Sequence, residues 1–255
     1  MRGAGRRDGV RAGTGWTAVV PVKRLHRAKT RLRGAVAGPE HERLVLAMAL
    51  DTVSAVLACP LVERVLVVTR DPFAGAALAA LGAVWVPDEP AGGINAALAH
   101  GVSRARIATR RTASTGATTA QPTTAEPTIG TPTIGAPAIA ALTADLPALR
   151  PTELAAALQA AVGLAGFPTF RGYVADAAGT GTVLLTALGG VPLAPAFGAG
   201  SAAAHSASGA VGLDGAWPSL RCDVDTAQDL AVAAELGLGR HAAALVEAAR
   251  YGDRQ

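Results

Sequence analysis

The chain has 255 residues, half of them apolar, 4% aromatic and 16% charged, with a formal net charge of +4. That length suffices for one α/β domain with a full core, and no window of about 18 residues is continuously apolar, so no membrane span is expected. The basic excess is local: residues 1–33 hold ten Lys and Arg against Asp8 alone, while the remaining 222 residues carry thirteen basic and eighteen acidic groups. So few aromatic platforms, and no basic face along the rest of the chain, argue against a nucleic-acid binder and fit a small phosphate-rich ligand better.

Residues 1–15 are rich in Arg and Gly with no apolar stretch, which reads as a disordered basic arm rather than a secretory signal and places the protein in the cytoplasm. Thr17–Val22 is a short β-branched apolar run and reads as a buried first strand. The basic loop Lys23–Arg31 follows at its carboxyl end, where α/β sheets bind ligands. Leu46, Leu50, Val53 and Leu57 recur at helical spacing across Glu40–Ala58, and Pro60 closes that segment. Arg64–Thr69 reads as a second strand, Phe73–Leu81 as a helix and Ala83–Val86 as a third strand. Gly92-Gly93-Ile94-Asn95 then opens a helix expected to run to about Ile107. This alternation predicts parallel strands joined by right-handed crossovers.

Residues 109–137 are almost wholly Thr, Ala, Pro, Gly and Ser, with the near-repeat Pro127-Thr128-Ile129-Gly130 and Pro132-Thr133-Ile134-Gly135. Such a segment cannot bury enough apolar surface to order itself and is read as a flexible insertion in one domain spanning 16–252. The strand pattern resumes at Ala138–Thr143, leads into Asp145-Leu146-Pro147, and a helix begins at Pro151. Strands are expected at Phe167–Val174 and Val183–Leu188 around the turn Gly179-Thr180-Gly181-Thr182. Phe197-Gly198-Ala199-Gly200-Ser201 leads into a helix at Ala202–Ser206, and Thr226–Leu236 and Arg240–Tyr251 read as the last two helices. Cys59 and Cys222 lie far apart, without metal-ligand spacing, and read as free thiols.

Leu220-Arg221-Cys222-Asp223-Val224-Asp225-Thr226 concentrates the chemistry. In extended backbone Asp223 and Asp225 leave the same face and could share one hard cation, Mg²⁺ first. Asp225 and Thr226 equally suit the start of the following helix, so the pair gains meaning only in company. Asp145 at the end of an apolar strand supplies a third carboxylate, and Lys23, Lys29 and Arg31 are spaced to reach several phosphate oxygens at once.

The ordered blocks Val20-Pro21-Val22-Lys23 with Ala28-Lys29-Thr30-Arg31-Leu32, Asp145-Leu146-Pro147-Ala148-Leu149, Gly179-Thr180-Gly181-Thr182, Phe197-Gly198 with Ser201 and His205, and Leu220–Thr226 together resemble the 2-phospho-L-lactate or phosphoenolpyruvate guanylyltransferase family, CofC/FbiD, of coenzyme F-420 biosynthesis. The resemblance implies an α/β, Rossmann-like nucleotidyltransferase fold of the glycosyltransferase-A type, three layers around a mostly parallel sheet. It implies Mg²⁺ held by Asp145, Asp223 and Asp225, with Lys23, Lys29 and Arg31 acting on the triphosphate during catalysis. Lys23, Gly92, Gly93 and Asn95 would bind GTP, and Thr182, Gly198 and Ser201 would bind phosphoenolpyruvate. The partners implied are GTP, a small phosphorylated acid and the downstream F-420 transferase enzyme, with no nucleic acid and no membrane. Phosphoenolpyruvate is the expected acceptor and 2-phospho-L-lactate the closest alternative. A D-x-D nucleotide-sugar glycosyltransferase and a non-catalytic nucleotide-binding protein are the other classes left open. The sequence departs from the resembling pattern at Ala177, where several relatives carry Arg, and at Ala144, where Gly is usual.

Overall fold

The computed structural model describes residues 15–27, 32, 39–89, 92–114, 136–164 and 170–252. The first strand, β1 (Trp16–Val22), shows how the sheet is made. Ala18, Val20 and Val22 enter one apolar cluster while Val19 enters the other, so alternate residues feed the layers on opposite faces of a fully covered strand. After a 3-10 turn at Leu25–Arg27 the chain runs through α1 (Pro39–Leu57), β2 (Val62–Thr69), α2 (Pro72–Ala79), β3 (Val84–Pro87) and α3 (Gly93–Ser114). β4 (Ala138–Leu142), α4 (Pro151–Val162), β5 (Arg171–Ala175) and β6 (Thr182–Ala187) follow. The chain closes with α5 (Ser201–Ala207), β7 (Val211–Gly212), α6 (Pro218–Arg221), α7 (Ala227–Leu236) and α8 (Arg240–Gly252).

Among the described residues the seven strands are ordered β3-β2-β1-β4-β6-β5-β7. β1 pairs in parallel with β2 and β4, and β2 with β3, as the alternating pattern predicts. β6 runs antiparallel to both β4 and β5, because the short turn between β5 and β6 leaves no length for a crossover. The consequence is functional: the first residue of β6 stands beside the last residues of β4, on one edge of the sheet.

α3 reaches the sheet at Gly101, where a Cβ would lie 2.5 Å from Val19 Cγ1 and 2.8 Å from Val68 Cγ2. α3 also runs to Ser114, past the point at 109 where the insertion is expected to begin. Residues 115–135, which hold most of the expected insertion, and the expected arm at 1–14 lie outside the described residues. Among the described residues no helix is long and apolar enough to cross a membrane.

Candidate active site

One pocket collects the loops at the carboxyl ends of β1, β3 and β4. Lys23, Asp88, Gly93, Ile94, Thr143, Asp145 and Asp225 line it, over an apolar floor that includes Met48 and Ala97. Lys23 leaves β1 exposed to solvent, in the position where a strand end presents a cation to a ligand. The loop behind it is fastened by Asp71. That carboxylate caps α2 by accepting from Phe73 N at 3.1 Å and Ala74 N at 3.2 Å, and its other oxygen accepts from Leu25 N at 3.2 Å. Lys29 and Arg31 lie outside the described residues.

Asp145 is set by its neighbours in the chain. The buried Thr52 hydroxyl of α1 donates to Met48 O at 2.8 Å and accepts from Leu146 N at 2.9 Å, fixing the backbone immediately after Asp145. Val224 N then donates to Asp145 O at 3.0 Å, which staples the loop between α6 and α7 onto the end of β4 and brings Asp225 into the pocket. Helix capping at α7 is carried out by Thr226 and Asp229, whose side chains bond each other's backbone N–H groups in a reciprocal box. The bland alternative for Asp225, service as that cap, is therefore not what the structure uses it for.

The expected three-carboxylate cluster is not assembled. Asp223 does not line the pocket, and among the described residues no three His, Cys, Asp or Glu side chains are grouped to hold an ion. Val224, between the two acids, is bonded to Asp145 O, and of the two only Asp225 lines the pocket. Arg221, just before Asp223, spends its guanidinium on Ala175 O and Leu213 O at 2.9 and 3.1 Å. Two carboxylates in one pocket nevertheless fit Mg²⁺, which takes one or two protein carboxylates and completes its shell with water and phosphate oxygens.

The residues expected at the guanine separate. Gly93, with φ of 82°, lines the pocket, while Gly92 and Asn95 do not. Asn95 instead clamps the loop before α5: its Nδ2 donates to Phe197 O at 3.0 Å and its Oδ1 accepts from Phe197 N at 2.8 Å. Both halves of the Asn95 amide are thus bonded to the backbone of that loop.

Thr182, Gly198 and Ser201 are brought into one neighbourhood by backbone bonds. Ala202 N donates to Thr180 O at 3.1 Å and Ser201 N to Gly198 O at 3.2 Å. Asp176 shapes the turn ahead of Thr182, accepting from Thr180 N at 2.9 Å and Gly181 N at 2.8 Å; a Cβ at Gly181 would fall 2.3 Å from Asp176 Oδ2. Gly198 has φ of 141° and Gly200 has φ of 69°, backbone states that favour glycine.

His205, fully buried, links these pieces. Its Nε2 lies 2.9 Å from Ala196 N, and a backbone N–H can only donate, so Nε2 must be the acceptor. The proton of the neutral ring therefore sits on Nδ1 and is donated to Thr182 Oγ1 at 2.9 Å. Burial, and secondarily the Arg171 guanidinium, push the His205 pKa down to about 4, which keeps the ring neutral at pH 7. Thr182 Oγ1 thus accepts from inside the protein, and its own hydrogen is left for another acceptor. The sequence suggests His205 as an aid in binding a carboxylate or phosphate; both its ring nitrogens are taken by Ala196 N and Thr182 Oγ1, contacts only the tertiary fold brings about.

No family model matches the chain. Curated relatives do. A phosphoenolpyruvate guanylyltransferase of Salinispora arenicola is 55% identical over 230 residues, covering 90% of this chain and 92% of that protein. Those of Streptomyces coelicolor and Geodermatophilus obscurus are 50% and 49% identical, over 90% and 91% of this chain and 95% and 94% of theirs. Among solved structures, a 4-diphosphocytidyl-2C-methyl-D-erythritol synthase superposes over 88% of this chain and 99% of its own at 13% identity and TM-score 0.46, a likeness too loose to argue from. At half identity along nearly the whole length of several relatives, the chain belongs to the phosphoenolpyruvate guanylyltransferase family.

Proposed function

We propose that this protein transfers GMP from GTP to phosphoenolpyruvate, giving enolpyruvyl-2-diphospho-5'-guanosine and pyrophosphate, in coenzyme F-420 biosynthesis. A phosphate oxygen of the acceptor attacks the α-phosphorus of GTP and pyrophosphate leaves in line. That oxygen is already ionised at pH 7, so the reaction needs positioning and charge neutralisation rather than a general base.

The observation that carries this reading is the order of groups along one sheet edge: Lys23 after β1, Asp145 after β4, then Thr182 at the start of β6, on adjacent strands. A cation, a carboxylate and a hydroxyl donor in that sequence suit a triphosphate, a metal and an acceptor anion. Lys23 binds the triphosphate and offsets charge on the departing pyrophosphate. Asp145 and Asp225 would hold Mg²⁺, which when bound neutralises phosphate charge at the reacting centre. Thr182 donates its remaining hydroxyl hydrogen to the acceptor, and the backbone around Gly198 and Ser201 admits the anion closely. Lys29 and Arg31 add to the phosphate-binding charge. The product passes to the downstream F-420 transferase.

Pyrophosphate release and product mass, measured with GTP, Mg²⁺ and either phosphoenolpyruvate or 2-phospho-L-lactate, test the assignment. Turnover with phosphoenolpyruvate is expected. Folded protein that releases no pyrophosphate with either acid, even with the downstream transferase added to remove product, sinks it; turnover with phospholactate alone moves the acceptor.

A further inference from the structure

Asp88 is a pocket residue that the transfer chemistry described above does not use. It directly follows β3, and its N–H donates to Thr69 O at 3.2 Å, which pins it to the end of β2. It lines the pocket together with Gly93, Ile94, Lys23, Asp145 and Asp225. Oδ1 of Asp88 is buried and has no hydrogen-bond partner among the described residues. A buried carboxylate oxygen without a donor is costly to keep, and a ligand bringing donors removes the cost.

Sheet geometry says which part of a ligand arrives there. β3, β2, β1 and β4 are consecutive neighbours. Three strand spacings of about 4.8 Å put the end of β3 roughly 14 Å from the end of β4. A nucleotide whose triphosphate lies at Lys23, Asp145 and Asp225 reaches that far only with its base. Among the common bases, guanine alone presents two adjacent donors on its pairing edge, N1–H and the N2 amine, and a carboxylate alone presents two adjacent acceptors to meet them. Adenine and cytosine would turn a ring-nitrogen acceptor toward the same oxygens and be repelled.

We propose that Asp88 selects guanine, its two carboxylate oxygens accepting from N1–H and the N2 amine of the base. The inference rests on the guanylyltransferase reading above and names the residue that sets its base specificity.

The test is a swap of preference, which loss of structure cannot produce. Asp88→Asn keeps the shape but offers one acceptor and one donor, the complement of xanthine, which retains N1–H and carries a carbonyl at position 2. Wild type is expected to prefer GTP over ITP by about tenfold or more and over XTP by more. In Asp88→Asn the ratio of kcat/KM for XTP to that for GTP rises by about 100-fold or more, as a re-paired bidentate contact allows. Asp88→Ala removes the discrimination between GTP and ITP. Calorimetric binding of GDP and XDP to the same proteins in Mg²⁺, without acceptor, must show the same reversal. An unchanged GTP to XTP ratio in Asp88→Asn, or an equal fall with every nucleotide, overturns the proposal. Because the binding measurement requires no turnover, a protein that reverses its base preference yet transfers nothing counts against the transferase reading alone.

Discussion

Acidification should expose His205 as the group that holds the acceptor side of the site together. Its folded pKa is about 4 against an ordinary value of 6.5, so the unfolded chain takes up a proton that the folded chain refuses. The sign follows: the contribution is fully present above pH 6.5, and stability falls as the pH drops through the window from 6.5 to 4. Linkage over that interval gives a loss of about 0.8 kcal/mol at pH 6, about 2 kcal/mol at pH 5 and about 3 kcal/mol at pH 4. The source is first the burial of the ring and then the Arg171 guanidinium beside it; protonation would also set Nε2–H against the Ala196 N–H.

Asp51, raised by burial, contributes with the opposite slope. The informative quantity is therefore the difference between wild type and His205→Gln, by urea unfolding at pH 7, 6, 5 and 4. Wild type should lose about 2 kcal/mol more than the variant between pH 7 and 5. Parallel profiles would refute the buried neutral ring.

Three further outcomes are expected. Asp145→Asn and Asp225→Asn should each lower kcat/KM for GTP by about 100-fold or more with unfolding midpoints near wild type, whereas Asp223→Asn should stay within about tenfold; steady-state kinetics and thermal melts on the three variants decide whether one acid of the pair stands apart. Thr52→Val leaves Leu146 N without its acceptor beneath the Asp145 loop and should cost about 1–3 kcal/mol in urea unfolding, with a fall in kcat although the residue touches no substrate. Gly101→Ala drives a methyl into Val19 and Val68 and should destabilise by about 1–3 kcal/mol, despite the better helix propensity of Ala.

Much of the fold is legible locally because each element carries its own period and its own stop. The expected β1, α1, β2, α2 and β3 lie within about two residues of the observed bounds, where Pro, Gly and apolar runs punctuate the chain. Orientation within α1 is less legible. The expected stripe of Leu46, Leu50, Val53 and Leu57 includes only one fully buried residue, Val53, because Leu44, Val45, Met48 and Ala49 take the deeper face against the sheet. In a chain half apolar, several helix faces look equally buried, and packing chooses among them. β7 and α6, at two and four residues, are too short to show any period.

The site divides along the same physical line. Residues whose position follows from their own strand end reach the pocket: Lys23 after β1 and Asp145 after β4. Residues whose position depends on a distant partner are harder to place from local pattern. Alternation puts Asp223 and Asp225 on a common face, yet only Asp225 lines the pocket, next to a bond from Val224 N to Asp145 O that joins positions some eighty residues apart. Asn95, expected at the base, is bonded at both ends of its amide to Phe197, about a hundred residues away and invisible to local pattern. Asp88 sits beside an expected strand end as Asp145 does, yet only the strand order, which makes β3 an edge three places from β4, turns it into the far end of a nucleotide-length site. Chemistry carried by one residue is visible in sequence; chemistry that needs a distance between two strands becomes visible only when the sheet supplies the ruler.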